Sequence, residues 1–185
     1  MQARAAGLIG VAVCASLTFC ASALAGDVFE GLGPQTIGSE LTAVLEEAEL
    51  ACRGDPADAD IRRCHPIAGA LETLAGAPAV VEAQFVADHL ALVSITFPEA
   101  RFADVRRVAN EQLGAGKDWS VGIIAGMNGT FKAEITIWES EDRAAVLQQF
   151  DRKINRSSLI YGTPSAMAPL LRRIKATPPG GMRDL

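Results

Sequence analysis

The sequence predicts an α+β fold, an antiparallel β-sheet packed by helices. Three observations predict it. Residues 79–97 form two alternating apolar runs around a polar gap. Residues 119–161 repeat that alternation in shorter runs joined by turn signals. Two further segments, about 39–53 and 102–113, carry apolar residues at helical spacing. Consecutive strands with tight turns pair antiparallel, and a helix with one apolar stripe must bury it against another element.

In chain order, residues 1–25 read as a signal peptide. Arg4 gives a short positive n-region, Gly7 to Phe19 an apolar stretch, and Ala23-Leu24-Ala25 a small-x-small cleavage pattern. The apolar stretch is short for a membrane span, and no later one reaches the roughly 18 residues a span needs. Cleavage near Ala25 leaves 160 residues, enough for one domain (26–176) with its own core. It also removes Arg4, leaving 16 basic against 22 acidic residues, a net charge of −6. That balance argues against nucleic acid, whose binders need a basic footprint. Many arginines, few lysines and abundant alanine point to a GC-rich bacterial source, and hence to a periplasmic or secreted location.

Residues 26–38 are glycine-rich and read as an extended lead-in. Ser39 is placed as an N-cap, with Leu41, Val44, Leu45, Ala48 and Cys52 on one stripe of a helix ending near Arg53-Gly54. Cys52 and Cys64 are the cysteines left after the leader, an even pair that most simply forms a disulfide in an oxidising compartment. Between them Asp55, Asp58 and Asp60 form an acidic loop. Clustered carboxylates suit a hard cation, but this loop lacks the glycine and distal glutamate of an EF-hand, so a solvated loop is the ordinary reading. Ile67 to Leu74 reads as a short helical turn or strand.

In the hairpin, Val81, Ala83 and Phe85 face one way. Ala91, Val93, Ile95 and Phe97 do so across the gap Ala87-Asp88-His89, and Pro98 ends the second strand. Phe102, Val105, Val108, Ala109, Gln112 and Leu113 mark the middle helix, stopped by Gly114, which should pack across the hairpin's apolar face. Trp119, Val121, Ile123 and Ala125 then alternate up to Asn128-Gly129, a type I′ turn signal. Phe131, Ala133, Ile135 and Ile137 line one face of the strand that follows. Ala144 to Phe150 fits helix or strand, and Ser158 to Tyr161 favours strand by offering a hairpin partner. Thr163 and Pro164 open a short last helix that Pro169 should kink or delay. Residues 177–185, with Pro178-Pro179-Gly180-Gly181, read as a disordered tail.

The catalytic signals are weak. His65 and His89 have no spacing that would join them at a metal, and Cys64-His65 competes with the disulfide. No serine elbow or cofactor motif occurs. Gly114-Ala115-Gly116-Lys117 lacks the remaining residues of a phosphate loop and ends a helix instead of starting one. Glu139, Glu141 and Asp142 could supply a glycosidase-like carboxylate pair, but they share one charged turn.

Trp138 stands out. It is out of phase with Ile135 and Ile137, so it shares the opposite face with Thr136; this pair is the candidate binding surface, although cover by the last helix or a packed loop is the ordinary reading for such a tryptophan. These readings favour an exported, non-enzymatic binding or envelope-accessory protein whose partner is a protein or envelope component. A hydrolase or cell-wall enzyme with an unrecognised carboxylate site, or a carrier of a small apolar ligand, are the alternatives.

Overall fold

The computed structural model describes residues 37–47, 50–67, 72–74, 76–124 and 129–184. The stretch predicted as a signal peptide, its expected cleavage site and most of the glycine-rich lead-in lie outside them.

The hairpin at 79–97 is the centre of the fold. β4 (Ala77–Val86) and β5 (His89–Pro98) pair antiparallel. The turn is tighter than the expected three-residue gap: Val86 opposes His89, leaving Ala87 and Asp88, both at positive φ (48° and 60°). Two left-handed residues are what a type I′ turn requires. Asp tolerates that conformation better than Ala, and neighbouring elements hold both residues in it. Ala87 N–H donates to the Asp60 carbonyl, Leu41 N–H donates to the Asp88 carbonyl, and Arg62 pairs with the Asp88 carboxylate at 3.1 Å. A register shift after Gln84 sets Leu90 opposite Phe85 where unbroken pairing would set Ala91, so Leu90 and not the expected Ala91 joins Val93 in the core beside Phe85.

The N-terminal helix is much shorter than expected. α1 spans Leu41–Glu47, and Leu50–Asp55 is a strand, β1, paired with β2 (Asp58–Pro66). Cys52 therefore lies on a strand and not on a helical stripe, directly opposite Cys64, and the two form a disulfide with Cα atoms 4.1 Å apart. The acidic loop is the turn of this hairpin. Asp55 Oδ1 accepts from Ala57 N–H, Asp58 Oδ1 accepts from Asp60 N–H, and Arg63 binds Asp55. Such Asx turns reverse the chain locally and so override the helical spacing upstream. α1 starts at Leu41, while the Ser39 carbonyl accepts the Leu90 N–H. β3 (Glu72–Leu74) adds to β4.

After Pro98, a 3-10 turn at Glu99–Arg101 leads into α2 (Phe102–Leu113), which has no side-chain N-cap. Its stop at Gly114 (φ 77°) is as expected. Phe102, Val105 and Ala109 pack against Val81, Phe85, Val93 and Ile95 of the hairpin.

The second ribbon divides between two sheets. β6 (Lys117–Asp118), β9 (Ile135–Glu139), β10 (Ala144–Gln148) and β11 (Arg156–Gly162) join the large sheet, in the order β1-β2-β4-β5-β11-β10-β9-β6. β11 docks on β5, so the last strand of the ribbon joins it to the first hairpin. β7 (Val121–Ile124) and β8 (Thr130–Ala133) form a smaller sheet. Here Ile124 opposes Thr130, so five residues connect the strands where a two-residue Asn128-Gly129 turn was expected. Asn128 lies outside the described residues, and Gly129 takes φ 89°.

Both faces of the β9–β11 region are covered. One face carries Trp138, Ala145, Leu147, Leu159 and Tyr161 and belongs to the core under α1 and α2. The other carries Ile135, Ile137, Ala144 and Val146, beneath α3 (Pro164–Lys175) and the small sheet. This double burial explains the ambiguity of 144–150, since a strand buried on both sides shows no alternation. α3 is capped by Thr163, whose hydroxyl accepts from Ala166 N–H. Pro169 does not delay it: the helix starts at Pro164 and continues through Pro169. That proline is exposed, so water can reach the Ser165 carbonyl that lacks a helical donor. The tail is also ordered where disorder was expected. Thr177 accepts from the Trp119 indole, Gly180 N–H donates to Ser120, and β12 (Met182–Asp184) pairs parallel with β7.

Candidate functional site

Trp138, singled out from sequence as a surface residue, is only 8% exposed. Its phase relative to Ile135 and Ile137 is as read, but the face it shares with Thr136 is covered by α2 and the connection to β6. Two glycines shape that cover. Gly114, at the end of α2, accepts the Trp138 indole N–H at 2.9 Å. Gly116 lies so close that a Cβ there would fall 2.4 Å from Thr136 Cγ2 and 2.6 Å from the indole. Gly114-Ala115-Gly116-Lys117, which resembled a phosphate loop only faintly, is a clamp around a tryptophan.

Beside the clamp is a cavity of about 460 Å³. Its floor follows from strand register: Ala145 lies opposite Trp138 on one side and Tyr161 on the other. A methyl between two large rings leaves space that neither ring fills. Leu113 and Ile37 form the apolar wall, while Lys117, Glu139, Ser140 and Arg143 line the polar part. The volume lies within the ~300–1,000 Å³ typical of small-molecule pockets, and an apolar body with a few polar groups is their usual composition.

The lining charges are unequal in their freedom. Lys175 of α3 reaches both Glu139 carboxylate oxygens at 2.8 Å. Lys117 holds its ammonium over the Trp119 ring, 4.8 Å from the centroid. Arg143 approaches Asp142 through Nε at 3.6 Å, longer than a hydrogen bond, and both side chains are more than half exposed.

The three acids of the β9–β10 turn do not converge. Glu139 lines the cavity and is bound by Lys175; Glu141 and Asp142 are exposed. A hydrogen bond from the Ser140 hydroxyl holds the Asp142 carboxyl below its ordinary range, opposite in direction to a carboxyl tuned as a general acid.

The histidines lie apart in sequence and in partners. His65 is on β2 near Glu82, and His89 contacts the Gly38 carbonyl at the hairpin tip. Among the described residues, no three His, Cys, Asp or Glu side chains cluster as a metal site. Nor, among them, is any helix long and apolar enough to cross a membrane.

A second, polar groove lies on the far side of the clamp, lined by Arg106, Asp118, Ser120, Lys132, Glu134 and Thr136 among others. Three of its charges are engaged within the groove: Arg106 meets Glu134, and Asp118 accepts from both the hydroxyl and the N–H of Ser120. Those two bonds hold the Asp118 carboxyl below its ordinary range.

No family model and no curated protein matches the chain. In structure it is similar to a cysteine-rich secretory protein from Staphylococcus aureus subsp. aureus Mu50, at 11% identity and a TM-score of 0.41. The match covers 71% of this chain and 44% of that one, so the chain spans less than half of that protein's length. A likeness of this size carries no argument about function.

Proposed function

We propose that this is an exported, non-enzymatic binding protein that receives the apolar part of a small ligand, or of an envelope component, in the cavity floored by Trp138, Ala145 and Tyr161. The observation that supports this reading is the Trp138–Ala145–Tyr161 row. Large rings on either side of a small residue, under an apolar wall, leave a hollow with two aromatic surfaces. The disulfide supports export, because such bonds persist in oxidising compartments. The leader read at residues 1–25 points the same way. With Trp138 in the cavity floor, binding acts through a cavity and not through a flat strand face.

Titration with the neutral apolar dye Nile red tests the reading. Saturable binding near one dye per chain is expected, and Ala115→Trp should abolish it. Ala115 is exposed on the cavity lining, so a large ring there fills the opening without entering the core. Wild-type dye affinity in Ala115→Trp, with an unchanged thermal midpoint, would refute it.

A further inference from the structure

We infer that the ligand is an anionic amphiphile, a molecule with an apolar chain or ring and one carboxylate, whose head is held by Arg143. The inference rests on the cavity reading above and adds the chemistry of the head. Three charged residues line the cavity, two cationic and one anionic. The anion, Glu139, has both oxygens on Lys175, so α3 already neutralises it. Lys117 directs its ammonium onto the Trp119 ring. Arg143 is the remaining cation. Its contact to Asp142 uses Nε at 3.6 Å, and the Ser140 hydroxyl also holds that carboxylate. The planar guanidinium can therefore present two parallel N–H groups to an incoming carboxylate, a geometry that lysine cannot reproduce.

The backbone fixes where Arg143 stands. Ser140 N–H donates to the Arg143 carbonyl at 2.9 Å, and Arg143 N–H donates to the Ser140 hydroxyl, closing the β9–β10 turn. The Arg143 side chain is about half exposed, as a group meeting a ligand at the rim must be. Ala145 follows two residues later, so the charge is close in sequence to the small residue that opens the hollow. An apolar chain lying between Trp138 and Tyr161 would bring its end group to this turn.

Decanoate and decanol, equal in chain length and different in head charge at pH 7, separate the alternatives when each competes with bound Nile red. Decanoate is expected to displace the dye at about tenfold lower concentration than decanol, the scale of one partly exposed charge-assisted hydrogen-bonded contact. Arg143→Met should erase that difference and leave decanol unchanged. Arg143→Lys should recover only part of it. Equal displacement by the two compounds, or a decanoate preference that survives Arg143→Met, would overturn the carboxylate head while leaving the cavity reading intact. If Nile red itself fails to bind the wild-type protein, both readings fall.

Discussion

Reducing the Cys52–Cys64 bond should lower the stability of the whole fold, and the size of the loss follows from the chain. The bridge closes a loop of sequence separation 12. The loop-entropy relation then gives about 9.5 cal/mol/K, or about 2.8 kcal/mol at 25 °C, by which the bridge disfavours the unfolded state. That is about a hundredfold in the folding equilibrium, and a shift of roughly 1–3 M in a urea midpoint at ordinary m-values. The effect should appear in global unfolding because the bridge is not peripheral. Cys64 is fully buried and shares its apolar cluster with Leu50, Ala83, Val44 and Phe85. β1 is an edge strand whose one partner in the sheet order is β2, so the staple also closes that edge. The measurement compares urea unfolding of oxidised protein with protein unfolded, reduced and refolded under reductant, which keeps both side chains in place. A shift below about 0.5 kcal/mol, accompanied by loss of exchange protection confined to β1, would refute the reasoning. It would mean that the β1–β2 ribbon opens independently of the core.

Two further predictions concern α3 and the polar groove. Pro169→Ala, at an exposed position of the helix, adds a donor for the Ser165 carbonyl and should stabilise the protein by about 1–2 kcal/mol in thermal or urea unfolding; destabilisation would show that the proline ring makes a contact worth more than the missing bond. Asp118 has its folded-state pKa depressed by the Ser120 hydroxyl and N–H. Its contribution is thus present above the ordinary carboxylate value and is lost as pH falls through the lower folded value. Asp118→Asn should therefore be less stable than wild type at pH 7, with the gap narrowing as the solution is acidified below about pH 4. A gap constant from pH 7 to pH 2 would rule out the ionised carboxylate as its source.

Much of the fold was legible where one face of an element meets water. The hairpin at 79–97, α2 with its Gly114 stop, and the Thr163-Pro164 start of α3 each carry a pattern set by a half-buried environment or by cap chemistry. Legibility failed where distant contacts overruled local preference. Leu41 to Cys52 has helical spacing, yet the Asp55–Asp58 turn and the bond to Cys64 draw its second half into a strand. The Asp55-Pro56 dipeptide was the available turn signal. The tail has turn-rich composition but finds partners in Ser120, Gly122 and Trp119.

The candidate site divides in the same way. Alternation alone placed Trp138 on the face opposite Ile137, and cysteine parity alone paired Cys52 with Cys64. Neither could show that Trp138 is covered, because the cover comes from Gly114 and Gly116, more than twenty residues away and silent until packed. Nor could the sequence reveal the hollow. It exists because β10 lies between β9 and β11 in a register that sets Ala145 between two rings. Periodicity records which side of a strand meets apolar surroundings. Which residues become neighbours across strands is a property of register, and register is fixed only when the whole sheet assembles.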